Sequence, residues 1–107
     1  MTAAGKTLTV DREKVLAALR AKRAEIEERY GLRMVGIVGS VARGEAGAES
    51  DVDVMVDIIR TPSLFKISGA EHDVEDAIGL GLRVEFVLRE DLRPGMRARM
   101  ERDFVPL

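Results

Sequence analysis

The stretch GSVARGEAGAESDVDVMVDI, residues 39–58, decides how this chain folds and what chemistry it can carry. Its second half, 51–58, alternates apolar residues with mostly acidic ones, which predicts a strand with one buried face. Its first half, 39–50, is dense in Gly, Ala, Ser and charged residues, which predicts a loop with one helical turn from Ser40 to Arg43. The stretch therefore predicts a polar loop that leads into an amphipathic strand.

The alternation divides the side chains of this predicted strand between two faces. One face has Val52, Val54 and Val56, and the other has Asp51, Asp53, Met55 and Asp57. Because Asp51 and Asp53 are two residues apart on a strand, they project from the same face about 6–7 Å apart along the backbone. At an effective dielectric of about 20, two such charges repel by roughly 2–3 kcal/mol. A fold tolerates them in open water, which is the simpler interpretation of Asp-x-Asp alone, or around a cation.

A further carboxylate lies on another predicted strand, 83–88. Glu85 faces away from the apolar residues of that strand. If the strand neighbours the acidic one, Glu85 joins Asp51 and Asp53, and three carboxylates around one point need a hard divalent cation such as Mg²⁺. The alternative is a structural role for Glu85, in a salt bridge to Arg83 or to a neighbouring strand.

Gly39 and Ser40 directly follow the first predicted strand, Arg33 to Val38. A glycine there permits close backbone approach, and exposed N–H groups at a helix start attract phosphate. The Ser40 hydroxyl adds a donor, and Arg43, one turn further on, can meet a phosphate oxygen. The loop is therefore a candidate phosphate site, although Gly-Ser alone is more often an ordinary polar turn.

The first long helix is predicted over 11–30, where apolar residues recur at three- and four-residue steps. Asp11 can accept hydrogen bonds from the first N–H groups of this helix as its N-cap. Gly31 can end the helix in a left-handed turn. Both ends of the helix are therefore specified by the local sequence.

Two more helices are predicted after the acidic strand. The second helix covers 63–80, and the third covers 91–103 with its regular part beginning around Pro94 and Gly95. The inner face of the second helix is expected to contain Leu64, Ile67, Val74 and Ile78. Three strands interleaved with helices, in the order α-β-α-β-α-β-α, predict a small α/β fold with one sheet packed by helices.

Composition limits the classes of function. The chain has 107 residues, no cysteine, a formal net charge of −2 and 34% charged residues. This length suits a single domain, expected over 11–107 after a flexible lead-in over 1–10.

The balanced charge argues against general nucleic-acid binding, and the lack of cysteine excludes disulfides and thiolate metal sites. No apolar run approaches the ~20 residues of a membrane-spanning helix. The lack of cysteine fits a reducing compartment, and a cytoplasmic protein is expected.

The loop and the acidic strand together resemble a known signature. GSVARG (39–44) followed by SDVDV (50–54) is similar to the motif of the minimal nucleotidyltransferase family, small members of the DNA polymerase beta-like superfamily. That motif is Gly-Ser, a spacer with Ala-Arg-Gly, then Ser-Asp-x-Asp followed by apolar residues. The order of the later elements fits as well, so the resemblance covers nearly all of the chain after Val10. It implies a mixed three-stranded sheet with helices packed against it.

The resemblance also implies a reaction. Gly39 and Ser40 would hold the triphosphate tail of a nucleoside triphosphate such as ATP, and Arg43 could assist. An acceptor hydroxyl would attack the α-phosphorus in line and release pyrophosphate. Two Mg²⁺ ions would stabilise the attacking and leaving oxygens.

The carboxylates take their roles from the same resemblance. Asp51 and Asp53 would bind the Mg²⁺ ions that bridge the phosphates. Glu85 occupies the place of a third family carboxylate, which helps bind metal and accepts the proton of the attacking hydroxyl. In the family that residue is Asp, and the extra methylene of Glu85 moves its oxygens by about one bond, which weakens a near-attack geometry.

A protein partner is the last implication. Larger relatives carry a second domain that shapes the acceptor site, and 107 residues are expected to leave no room for one. Many minimal nucleotidyltransferases resemble antitoxins paired with a HEPN ribonuclease toxin, and some transfer AMP to a toxin side chain. The expected function is therefore an AMP-transferring antitoxin that acts on a HEPN-type protein. The alternatives are a degenerate module that binds nucleotide or partner without catalysis and a small-molecule nucleotidyltransferase, and self-association is open.

Overall fold

The computed structural model describes residues 10–47 and 50–107, which form four α-helices and four strands. The helices are α1 (Arg12–Tyr30), α2 (Gly39–Arg43), α3 (Leu64–Ile78) and α4 (Pro94–Arg102). The strands are β1 (Leu32–Val38), β2 (Val52–Ile58), β3 (Val84–Leu88) and β4 (Val105–Pro106), and a 3-10 turn covers Arg89–Asp91. The predicted order is confirmed as far as α4. The predicted lead-in lies outside the described residues, except for Val10.

The sheet has four strands in the order β3-β2-β1-β4. β1 is antiparallel to β2 and β4, and β2 is parallel to β3, so the sheet is mixed as expected. The prediction of three strands was wrong by one, because β4 follows the last helix. Its two residues, Val105 and Pro106, are too few to show any alternation in the sequence.

The predicted caps of α1 are present. The Asp11 side chain accepts hydrogen bonds from the N–H groups of Glu13 and Lys14, and Gly31 ends the helix with a φ of 71°. Only a residue without a Cβ adopts that left-handed conformation readily. In the parts of the chain that the structure describes, α1 and the other helices are too short or too polar to cross a membrane.

A bulge in β1 sets which residues of that strand face the core. The register with β2 shifts after Met34, which pairs with Val56, so that Gly36 pairs with Met55. An extra residue in one strand turns the following side chains to the other face. Met34 and Ile37 are therefore both fully buried although they are three residues apart.

Gly36 makes room for the end of the chain, and this explains one wrong expectation. A Cβ atom at Gly36 would overlap the ring of Phe104 and lie 2.5 Å from the carbonyl oxygen of Val105. Met55 is the cross-strand partner of Gly36 and was expected on the open acidic face, yet it is 1% exposed. Phe104 and Val105, which pack on Gly36, therefore cover the face of β2 around Met55. The part of that face around Asp53 is left open to a cleft.

The predicted inner face of α3 is correct except at its start. Val74 is buried, and Ile67 and Ile78 pack against the core. Leu64 belongs to the same stripe but is 83% exposed. It is the first residue after the Ser63 N-cap, and the apolar contacts of α3 begin one turn later.

Two glutamates of α3 cover the free edge of β3. The Phe86 N–H donates to Glu71 Oε2 at 2.8 Å, and the Val84 N–H donates to Glu75 Oε2 at 2.8 Å. An edge strand presents unpaired N–H groups, and these two acceptors satisfy them. Because the two N–H groups flank Glu85, α3 fixes the strand segment that carries this candidate site residue.

Candidate active site

Strands β2 and β3 bring two of the predicted site residues together. In their parallel register Asp53 is the cross-strand partner of Glu85. Neighbouring strands lie about 4.8 Å apart, and partners in register leave the same face of the sheet. Glu85 therefore lies on the Asp53 side of the sheet, as the predicted carboxylate cluster requires. None of the ion pairs among the described residues involves Glu85, so the alternative salt bridge to Arg83 is not seen.

Partial burial and neighbouring negative charge act on Asp53. Its pKa is raised from 3.8 to about 6, first by burial and then by the charges of Glu85 and Asp51. Both effects disfavour the ionised form of the carboxyl group. A cation beside Asp53 would offset them, so the electrostatics of this position favour cation binding.

Asp51 lies at the margin of this group. It precedes β2 and is exposed, although its charge still acts on Asp53. Within residues 10–47 and 50–107, no three acidic or histidine side chains are grouped so that they could hold a metal ion by themselves. Asp53 and Glu85 therefore form the centre of the acidic group, and Asp51 does not close a cage with them.

The backbone of Gly39 lies directly against the Asp53 carboxylate. Gly39 begins α2 with a φ of 80°, and a Cβ atom there would lie 2.6 Å from Asp53 Oδ2. A glycine is therefore required at this position for two reasons: the left-handed backbone conformation and the close approach of the backbone to the Asp53 carboxylate. Ser40 follows in the first turn of α2 and is half-buried. The predicted helical turn at this loop is confirmed, and it places the loop beside the acidic strand.

Arg43 already has two partners. Its Nε donates to Glu45 Oε1 at 2.9 Å, and its Nη1 donates to Asp103 Oδ2 at 3.0 Å. The second bond joins the end of α2 to the residue that follows α4. The positive charge expected to meet phosphate is therefore compensated by carboxylates within the protein.

A cleft of about 250 Å³ separates α2 and β2 from α4. Its walls are Val38, Gly39, Arg43 and Asp53 on one side and Met96, Arg99, Met100 and Asp103 on the other. The α4 side was missed by the sequence reasoning. One signal was available in the sequence: Met96, Arg99, Met100 and Asp103 follow one another at steps of three, one and three residues. That spacing places side chains on one face of a helix. Nothing in that spacing indicates which loop the face meets.

A second cavity, of about 550 Å³, lies along α1 and is larger than the cleft. It is lined by Arg20, Arg23, Ala24, Glu27, Glu28 and Arg60. None of the predicted site residues lines it. The cleft, which contains Gly39, Arg43 and Asp53, is therefore the candidate active site despite its smaller volume.

The carboxylates at and beside the cleft fit a divalent cation bound together with a polyphosphate. Mg²⁺ typically takes one or two carboxylates from a protein and completes its shell with waters and substrate phosphates. Asp53, which lines the cleft, and its cross-strand partner Glu85, which is not one of the lining residues, provide such a pair. The pKa of Asp53 is raised by burial and by the negative charges of Glu85 and Asp51, which a cation would offset. A mixed sheet with an acidic strand after a Gly-Ser turn is the arrangement that the resemblance to minimal nucleotidyltransferases implies.

Comparison with known proteins agrees with this class. The chain belongs to the nucleotidyltransferase domain family, whose profile matches residues 19–105, and it is a nucleotidyltransferase. It is 40% identical over 93 residues to protein adenylyltransferase MntA of Thermococcus cleftensis, covering 87% of this chain and 92% of that protein. The predicted family is thereby confirmed.

Solved structures agree as well. A structure described as a minimal nucleotidyltransferase superposes with a TM-score of 0.72 at 33% identity, covering 92% of this chain and 97% of that chain. A structure of a toxin-antitoxin with AMP-PNP gives a TM-score of 0.53 at 18% identity, covering 78% of this chain and 61% of that chain. The first match confirms the predicted fold class, and the second is a likeness of fold.

Proposed function

We propose that this chain transfers AMP from ATP to a hydroxyl group of a partner protein, with Mg²⁺ bound in the cleft. The observation that carries the proposal is the register that sets Glu85 beside Asp53, next to the backbone of Gly39. AMP as the transferred group and a protein as the acceptor are supported by the likeness to protein adenylyltransferase MntA of Thermococcus cleftensis.

In the proposed reaction, the acceptor oxygen bonds to the α-phosphorus of ATP while the bond from that phosphorus to pyrophosphate breaks. Glu85, the more exposed of the two paired carboxylates, accepts the hydroxyl proton. The Gly39 N–H and the Ser40 hydroxyl donate hydrogen bonds to the leaving pyrophosphate. Asp53 and Glu85, with Asp51 at their margin, would hold Mg²⁺, which would supply positive charge to the phosphates.

The partner in this proposal is a HEPN-type toxin, with this chain as its antitoxin. The likeness to a toxin-antitoxin structure with AMP-PNP supports a pairing of this kind and the use of an adenine nucleotide. At 18% identity that support extends to the fold and not to individual contacts.

A second function, binding of nucleotide or partner without transfer, is favoured by two features of the acidic group. In the described residues the acidic side chains form no three-membered group able to hold a metal ion unaided. Glu85 also stands where the family has Asp, so its proton-accepting oxygen is displaced. A transfer assay separates this function from the first.

The assay combines the protein with Mg²⁺, ATP labelled at the α-phosphate and the protein encoded beside it in the genome. We expect label on the partner protein and loss of labelling in Asp53→Asn, with folding retained. Asp57→Asn is the matched control, because Asp57 lies on the same strand and is bound by Arg89 outside the cleft. Full transfer by Asp53→Asn refutes the assignment, nucleotide binding without transfer supports the second function, and label on a small molecule identifies a different acceptor.

A further inference from the structure

We propose that Arg99 of α4 binds the triphosphate of the nucleotide, a role that sequence spacing had suggested for Arg43. The inference rests on the proposed function, because it takes ATP as the ligand of the cleft. It adds α4 to the nucleotide site as a second wall. The argument depends on which cations of the cleft are already paired.

Arg43 is poorly available to a phosphate. Its guanidinium donates to Glu45 and Asp103 at 2.9 and 3.0 Å, and the latter bond also joins α2 to the end of α4. A triphosphate would have to compete with two carboxylates for this group. A side-chain cation that contacts the phosphates directly, in addition to the Mg²⁺ of the proposed function, must therefore come from another residue of the cleft.

Arg99 is that cation. It lines the cleft together with Gly39 and Asp53, and it is exposed. Among the described residues the ion pairs formed by α4 and its cap are Arg97 with Glu101 and Asp103 with Arg43, and Arg99 has none. A planar guanidinium with five donors suits bidentate binding of phosphate oxygens.

The neighbours of Arg99 complete a surface suited to a nucleotide. Met96 and Met100 line the same cleft, and Met96 is one of the few large apolar residues that are strongly exposed, at 44%. Methionine side chains are flexible and polarisable, and they adapt to flat partners such as the face of a nucleotide base. One helix face thus offers apolar contact and a positive charge side by side, which matches a ligand with an apolar body and an anionic tail.

The test measures ATP and AMP affinity by calorimetric titration in the presence of Mg²⁺. We expect Arg99→Gln to weaken ATP binding by about tenfold or more, since it removes a charge-assisted contact. AMP affinity should change by less than about threefold, because AMP lacks the outer phosphates, so the ratio of ATP to AMP affinity falls. Arg102→Gln is the control, because Arg102 lies on the same helix but does not line the cleft.

The outcomes separate this inference from the proposed function. Equal ATP affinity in Arg99→Gln and wild type overturns the role of Arg99 and leaves the proposed function standing. An equal loss for ATP and AMP, or the same loss in Arg102→Gln, also overturns it. Absence of ATP binding by the wild-type chain overturns both. Since Arg99 is exposed, its substitution is expected to leave the far-ultraviolet circular dichroism spectrum unchanged.

Discussion

The Asp53 carboxylate lies where the backbone of Gly39, the Glu85 side chain and the cleft meet. Each neighbour has a different effect on it. Gly39 limits the space available to its oxygens, and Glu85 adds negative charge. Together with partial burial these effects raise the pKa of Asp53 to about 6, which makes this residue the most informative one to change.

Gly39→Ala tests the contact with Asp53. Gly44→Ala is its matched control, because Gly44 also has a positive φ, 75°, but no atom within 4 Å of an added Cβ. Both variants should lose about 1–2 kcal/mol of stability from the left-handed strain. Only Gly39→Ala should also lose transfer, by on the order of 100-fold, since its Cβ displaces the carboxylate. Unfolding curves and transfer rates measure the two effects, and equal transfer by both variants would contradict the assignment.

Asp53→Asn tests the electrostatics of the same position. Because the pKa of Asp53 is raised to about 6 in the folded chain, the folded state binds more protons than the unfolded state between about pH 4 and 6. The stability that Asp53 contributes is therefore present in full below about pH 4, and it is lost as the pH rises through about 6. After discounting for partial exposure, Asp53→Asn should be more stable than wild type at pH 7 by on the order of 1–2 kcal/mol.

Urea unfolding at pH 4 and pH 7, without metal or nucleotide, measures this difference. The advantage of the asparagine variant should disappear at pH 4, where wild-type Asp53 is protonated. An advantage of the same size at both pH values would mean that charge is not its cause.

Much of the candidate site could be predicted from sequence, and the rest depends on distant contacts. The loop at Gly39 and the strand at Asp53 are close together in the sequence, so the motif that they form could be recognised without a structure. The approach of Glu85 to Asp53 required the correct guess that β2 and β3 are neighbours. The pairing of Arg43 with Asp103 spans 60 residues, and no local pattern predicts it.

At the scale of secondary-structure elements, local sequence patterns predicted the ends of α1 but did not predict the last strand, β4. Asp11 and Gly31 cap α1 as expected, because capping depends on residues within one turn. β4 was missed because two residues carry no period, and its existence depends on the space left by Gly36. Leu64 was misplaced because periodicity gives the direction of a side chain but not where the core ends.

The glutamates of α3 give a prediction at this scale. Glu71→Ala should leave the Phe86 N–H without its acceptor on the edge of β3 and lower the unfolding free energy by about 1–2 kcal/mol. Amide hydrogen exchange at Phe86 should become faster. Glu71→Gln keeps an acceptor oxygen of the same reach and should retain most of the protection. Equal exchange in all three proteins would show that this contact does not hold β3.

For the whole molecule, the end of the chain is what closes the candidate site. The segment after α4 packs on Gly36 through Phe104, pairs with β1 through β4, and binds Arg43 through Asp103. These contacts hold α4 opposite α2 and so form the cleft. The integrity of the site therefore depends on a segment with little regular structure.

Gly36→Ala tests that dependence. The added Cβ would meet the Val105 carbonyl oxygen at 2.5 Å, so the segment must shift, at a cost of about 1–3 kcal/mol. Nucleotide affinity should fall together with stability because α4 moves with the segment. Gly95→Ala, in α4 with no atom within 4 Å of its Cβ, should not be destabilised. Thermal unfolding and nucleotide titration of both variants measure these two effects. A Gly36→Ala variant as stable as the wild type would contradict the packing of Phe104 and Val105 on Gly36.

The central claim is that Asp53 and Glu85 hold a divalent cation beside the Gly39 loop. The most direct measurement is a titration of the ¹⁵N-labelled protein with Mn²⁺ and a non-hydrolysable ATP analogue, followed by NMR line broadening. The account predicts that the amide signals of Gly39, Asp53 and Glu85 broaden first and that Asp53→Asn abolishes the effect. Broadening centred elsewhere, or unchanged in Asp53→Asn, would contradict it.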